Sequence, residues 1–179
     1  MKKLIFLLMM MPFGVLNAQN LVPEFKNQPA AIDGDKMVKL EKVSAEVKQK
    51  INGMGYGGTS QNIQIDLPSS PVRLSSNPEF LLKVDSDTDP ETVFYLAICL
   101  KAKKVRSVEV AKTSAFAAYG ATGKSAKRFH VELTYEKVGD GVYKIKVNEA
   151  LKAGEEYAFV MKSSGASGQI SNVFCFGVN

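Results

Sequence analysis

The stretch Tyr143-Lys144-Ile145-Lys146-Val147-Asn148-Glu149-Ala150-Leu151-Lys152-Ala153-Gly154-Glu155-Glu156-Tyr157-Ala158-Phe159-Val160-Met161 decides the fold. Tyr143, Ile145 and Val147 alternate with Lys144 and Lys146, the period of a strand with one buried and one solvated face. Tyr157, Phe159 and Met161 repeat that period beyond Leu151 and Gly154. A leucine, a glycine three residues on and a tyrosine three beyond that has the spacing of a tyrosine corner. At such a corner the chain passes from one sheet to another, and the tyrosine hydroxyl returns to backbone a few residues upstream. This one segment therefore predicts two layers of strands.

The same period continues outward. Phe129, Val131, Leu133 and Tyr135 line one face of a segment whose other face carries His130, Glu132, Thr134 and Glu136. Val138-Gly139-Asp140-Gly141-Val142 is a hairpin turn, because Asp-Gly tolerates the positive φ such turns need. Thr92 to Leu100 is apolar enough for a strand buried on both faces, and Val173 to Val178 ends the chain in another. Ile63 to Leu67, Val72 to Leu74, Phe80 to Val84 and Val108 to Val110 supply shorter ones. Met37 to Ile51 fits a helical stripe (Met37, Leu40, Val43, Val47, Ile51) and a strand (Val43, Ala45, Val47) alike. Its neighbours favour strand, but periodicity alone leaves both open. Pro23, Pro29 and Gly34 make residues 19–36 an extended lead-in. About nine short strands with turn signals between them predict an all-β, antiparallel β-sandwich, a single domain over residues 37–179.

The corner at Leu151, Gly154 and Tyr157 resembles the penultimate corner of immunoglobulin-like and fibronectin type III domains, over a core of about residues 62–179. The cysteine-tryptophan-cysteine signature of antibody domains is absent, since the chain has no tryptophan. Leu40-Glu41-Lys42, Ser70-Pro71-Val72-Arg73, Asp89-Pro90, Gly154 to Phe159 and Phe174 to Val178 also resemble exported Gram-negative bacterial proteins of unassigned function. That family reads Gly-Glu-Tyr where this chain inserts Glu156. The resemblance implies a β fold and an exported product, and no activity. In the layout implied by the immunoglobulin likeness, the Tyr157 strand lies between those of Cys99 and Cys175. Two strand spacings of about 4.8 Å exceed the ~7 Å that a disulfide spans. Free, buried thiols are the expectation, with pairing left open.

Met1-Lys2-Lys3, an apolar run from Leu4 to Leu16 and then Asn17-Ala18 form a secretory signal peptide over residues 1–18. The run is shorter than the roughly 20 residues a membrane span needs, and no cysteine follows it to carry a lipid. The mature chain is expected to be exported and soluble, periplasmic or extracellular, without membrane insertion. Without Lys2 and Lys3 it carries 21 basic and 18 acidic side chains, an ordinary balance that argues against a nucleic-acid partner.

Several motifs invite chemistry. Ala118 to Ser125 matches a loosened phosphate loop, but an alanine-rich segment precedes it and a strand follows, where a real one joins strand to helix. Gly53 to Gly58 is glycine-rich without that setting and is explained by a tight turn. Asp85, Asp87 and Asp89 alternate as in a calcium loop, yet the sixth position is Pro90, not glycine, and the twelfth is Leu96, not glutamate. An inter-strand loop whose aspartates bond to backbone accounts for them. His130 is the only histidine, so any triad must use it; its neighbours Glu132 and Thr134 mark an ordinary polar face. Lys101, Lys103, Lys104 and Arg106 form a basic run, either a solvated strand edge or a polyanion site. Arg73, between Val72 and Leu74, faces solvent or a partner carboxylate.

No catalytic residue, cofactor or metal ligand is assigned, Asp85, Asp87 and Asp89 remaining the weak metal candidates. The expected function is that of an exported, non-catalytic module binding a protein or glycan, an analogy from fold. One alternative is a secreted hydrolase using a carboxylate pair among Asp85, Asp87, Glu132 and Glu136. Another is a structural subunit that self-associates through a strand edge. Ligand and oligomeric state are not legible.

Overall fold

The computed structural model describes residues 21–51, 58–113, 129–162, 168 and 170–179. The signal segment, the phosphate-loop-like Ala118 to Ser125 and most of the glycine-rich turn lie outside these residues. The described chain is all-β, with one 3₁₀ turn at Pro90–Thr92 capped by the Asp89 carboxylate. Its strands are β1 (Ala30–Asp33), β2 (Lys36–Lys39), β3 (Glu41–Ile51), β4 (Thr59–Asp66), β5 (Arg73–Leu74), β6 (Glu79–Lys83) and β7 (Phe94–Lys101). There follow β8 (Val105–Thr113), β9 (His130–Val131), β10 (Leu133–Gly139), β11 (Val142–Val147), β12 (Glu156–Met161) and β13 (Ile170–Val178). Met37 to Ile51 is therefore strand throughout, broken only at Leu40. The stretch expected as lead-in already holds the β1–β2 hairpin, turned at Gly34 with φ +57°.

Five strands form an antiparallel sheet in the order β10-β11-β6-β1-β2. Six others run β12-β13-β3-β4-β8-β7, and a second pairing of β12, with β7, closes that circuit into a barrel. The immunoglobulin-like sandwich is corrected by this closure. β3 and β4 do not end at an open sheet edge; they wrap round and bring β8 back to β7 at Leu100 and Lys101. Nearer the start of β7 the short β9 takes the place of β8, pairing with Leu96 and Ala97.

Alternation along β7, β12 and β13 explains how barrel and sheet fit together. Ala97, Cys99, Ala158, Val160, Val173 and Cys175 point into the barrel with Ala45, Val47, Ile63, Ile65 and Val108. The intervening Phe94, Leu96, Tyr157, Phe159, Phe174 and Phe176 point the other way, onto Phe80, Leu82 and Ile145 of the five-stranded sheet. A barrel this narrow has room only for small and branched side chains, so it is filled rather than hollow. The seam between the layers takes the aromatic rings, with Phe80 edge-on to Phe159 at 4.9 Å. Each fully buried ring there contributes on the order of 2 kcal/mol. Strands buried on both faces lose their polar alternation, which is why these three read as apolar runs.

Among the described residues five crossings tie the layers together, two of them flanking β6, after Leu74 and after Lys83. The chain leaves the sheet for the barrel at Leu40, between β2 and β3, and leaves the barrel for the sheet at Glu132, between β9 and β10. It returns through Asn148 to Glu155, where Gly154 has φ +79° and the Lys152 amide donates to the Tyr157 hydroxyl at 2.9 Å. The local corner thus forms, joining a sheet to a closed barrel. Among the described residues no helix is long and apolar enough to cross a membrane.

Candidate functional site

At the Leu40 crossing the lead-in, residues 21–29, straps over the corner between β2 and the barrel. Pro23 and Pro29 are buried, and proline limits the freedom lost when such a strap orders. Asn27, at φ +55°, donates its amide to the Lys83 carbonyl at 2.8 Å. Asparagine tolerates that left-handed conformation better than most residues. Lys26 pairs with Asp85 beyond the end of β6, which fixes the strap between two lines of contact.

Beneath the strap lies a cleft of about 260 Å³, walled by Pro23, Phe25, Met37, Leu40 and Phe174. Its floor is rigid. Leu40 and Phe174 are buried in the seam, and Phe174 meets Phe94 edge-on at 5.9 Å. Its outer wall is not, since Phe25 is 49% exposed. Two lysines stand at the mouth. Lys39 lies 5.9 Å above the Phe25 ring and 3.7 Å from Glu24, in a pair whose side chains are both largely exposed. Lys42 is exposed and stands directly opposite Phe174 in the β3–β13 ladder.

A second depression, about 570 Å³, lies on the outer face of the five-stranded sheet between Leu21, Val22, Ile32, Leu81 and Val138. Its rim mixes Glu79, Lys83, Asp140 and Lys144. A third, about 340 Å³, opens at the other crossing among His130, Glu132, Glu149 and Lys152.

The residues singled out from the sequence are scattered by the fold. Asp85 is engaged by Lys26, and the Asp89 carboxylate accepts the Glu91 amide at 2.9 Å. Among the described residues no His, Cys, Asp or Glu group is arranged to hold a metal. Glu136 pairs with Lys146 at 3.2 Å. Glu132 sits at the open end of the β10–β11 hairpin, where its carbonyl accepts the Asn148 amide. Asp85 follows Val84 at the turn end, beside Gly141. These acids do not converge. His130 is half-buried rather than on a solvated face, because its ring stacks on Tyr95 at 4.2 Å. Burial pushes the Tyr95 hydroxyl up to about 12.

Of the basic run, Lys101 reaches the Gly154 carbonyl at 2.5 Å, whereas Arg106 turns into the barrel. There it pairs with Glu41 and donates to the Leu67 carbonyl at 3.0 Å. Arg106 shares its parity with the inward Val108, and that signal was legible in the sequence. Arg73 does find a carboxylate, Glu156, at 2.5 Å. Cys99 and Cys175 are separate thiols facing the barrel interior, with β12 between their strands. Burial pushes Cys175 up to about 11, with Arg106 opposing, and raises Cys99 well above the ordinary thiol value. Both are protonated at neutral pH and are not nucleophiles. The cleft under Phe25 was missed from the sequence, because its walls come from segments as far apart as Pro23 and Phe174.

Comparison with family models, curated proteins and solved structures finds no match to this chain. The resemblance drawn to exported Gram-negative proteins is accordingly withdrawn along with the immunoglobulin one: no family model supports the first, and the closed barrel overturns the second.

Proposed function

We propose that the chain is an exported, non-catalytic binding module, working in the periplasm or outside the cell, that takes a ligand with an apolar body into the cleft beneath Phe25. One observation carries the proposal. A phenylalanine left half-exposed on a tethered strap faces a preformed apolar cavity with a buried floor. Exposed aromatic surface beside a concavity favours an occupant that removes it from water. The alternative of a carboxylate-based hydrolase has less support, because Asp85 and Glu136 are each held by a lysine. An acid pair that cleaves glycosides must flank one bond several ångströms apart.

The test uses the mature chain from Gln19 and the uncharged fluorophore N-phenyl-1-naphthylamine. Saturable fluorescence enhancement is expected, weakened about tenfold by Phe25→Ala and abolished by Met37→Glu. Enhancement that does not saturate, or that both variants leave unchanged, would refute the proposal.

A further inference from the structure

Resting on that site, we infer that its ligand is a small amphipathic carboxylate, with an aliphatic or aromatic body in the cleft and the carboxylate between Lys39 and Lys42. Charge and lining together select this concavity: the groove among Lys48, Lys50, Glu109 and Lys112 is also largely basic, but its walls include Ser60, Asn62, Gln64 and Ser107, whereas the strap cleft joins a basic mouth to an apolar interior. The depression on the sheet's outer face has acids and lysines interspersed round it, Glu79 and Asp140 against Lys83 and Lys144, and so has no preferred sign of ligand. The depression by His130 sets Lys152 against Glu132 and Glu149. At the strap cleft the mouth is basic. Its one acid, Glu24, is already engaged by Lys39. Glu41, next to Lys42 in sequence, points the opposite way into the barrel, where it holds Arg106. Among the described residues no acidic side chain pairs with Lys42.

Size narrows the ligand further. A space of about 260 Å³ holds a body of roughly eight to ten non-hydrogen atoms at about 30 Å³ each. An apolar body flanked by two ammonium groups is the complement of a medium-chain alkanoate or an aryl-alkanoate. The Glu24–Lys39 pair is weak because both partners stand in water. A ligand carboxylate can therefore draw Lys39 away from Glu24 at little cost, while the lysine keeps its place over the Phe25 ring.

The experiment displaces N-phenyl-1-naphthylamine from the mature chain with octanoate, octanol and octylamine in low salt. Octanoate is expected to displace about five- to tenfold more tightly than octanol, since two exposed charge pairs give about 1 to 1.4 kcal/mol together. Octylamine is expected to be the weakest. Lys39→Ala/Lys42→Ala should bring the octanoate-to-octanol affinity ratio to about one, whatever it does to octanol itself; both side chains are exposed, so the variant folds, as circular dichroism will verify. Octanol matching octanoate, or octylamine exceeding it, would overturn the carboxylate assignment while the binding site stands. A chain that never binds the neutral fluorophore removes the site itself, and the carboxylate assignment with it.

Discussion

Arg73 reaches Glu156 by crossing the bare backbone of Gly177. The three residues lie in one row across β5, β13 and β12, with Gly177 opposite both Arg73 and Glu156. A Cβ on Gly177 would stand 1.7 Å from the Arg73 Nη1 and 2.7 Å from the Glu156 Oε1. The pair it spans is 2.5 Å long, and the Glu156 side chain is 2% exposed. Glu156 also accepts the Ser70 amide at 2.8 Å, so the row pins the segment before β5 to the barrel. Gly177→Ala should push the guanidinium off its carboxylate and leave Glu156 buried without its counter-charge. The expected loss is about 2 to 3 kcal/mol, below the full cost of breaking a buried pair because Arg73 is one-third exposed. Urea unfolding measures it; a change under 0.5 kcal/mol, the usual size for a surface position, would show that the row is not structural.

Arg106 and Glu41 pose the same problem more deeply, since the Arg106 side chain is fully buried. Arg106→Met should cost about 3 kcal/mol, because it strands Glu41 and leaves the Leu67 carbonyl without its donor. Adding Glu41→Met should recover most of that loss, because an apolar pair needs no compensation for lost hydration. If the double variant is as unstable as the sum of the single ones, the two side chains act independently and the pairing has been misassigned.

Tyr157→Phe tests the hinge. The ring is 2% exposed and stacks on Phe176 at 5.6 Å, so phenylalanine fills the same volume. What is lost is the acceptor for the Lys152 amide. A cost of about 1 to 2 kcal/mol is expected in chemical denaturation, with little change in the far-ultraviolet spectrum. No measurable cost would mean that Gly154 and the flanking strands set the turn unaided.

That hinge was the part of the fold most open to sequence reasoning. Leu151, Gly154 and Tyr157 state a local geometry, and local geometry is what spacing encodes. The hairpin at Asp140-Gly141 was legible for the same reason, and Gly141 does have φ +62°. Barrel closure was not. It rests on β12 pairing with β7, whose aligned residues Tyr157 and Ile98 are far apart in the chain. An apolar run buried on both faces looks alike in the middle of a sandwich and in a barrel wall. The hairpin of β1 and β2 was missed because Asp33-Gly34-Asp35 sits between runs of only four residues each, too short to show a period. The polar face expected for His130 does not form because the alternation from Phe129 to Glu136 spans two strands, and the break at Glu132 leaves the histidine stacked on Tyr95.

The barrel thiols give stability an alkaline limit. Cys175 rises from an ordinary 9.0 to about 11 in the folded chain, chiefly through burial. The unfolded chain therefore sheds this proton first, and Cys99, also raised by burial and by Cys175, follows the same rule. Between about pH 9 and 11 the unfolded state binds fewer protons than the folded one, so stability falls as pH rises. It is fully retained below the unfolded value. Each thiol contributes a slope of up to about 1.4 kcal/mol per pH unit. Tyr95 and Tyr135, both pushed from 10.0 up to about 12 by burial, extend the decline at higher pH. Guanidinium unfolding at closely spaced pH values from about 8 to 9 isolates the onset of the thiol effect, since the tyrosines stay largely protonated there in both states. Cys175→Ala should lower the baseline by leaving a small cavity, yet flatten the decline. A decline that is equally steep in Cys175→Ala would assign it to other groups. Non-reducing mass spectrometry completes the test: both thiol hydrogens should be present, and a Cys99–Cys175 bridge would require β12 to leave its place between their strands.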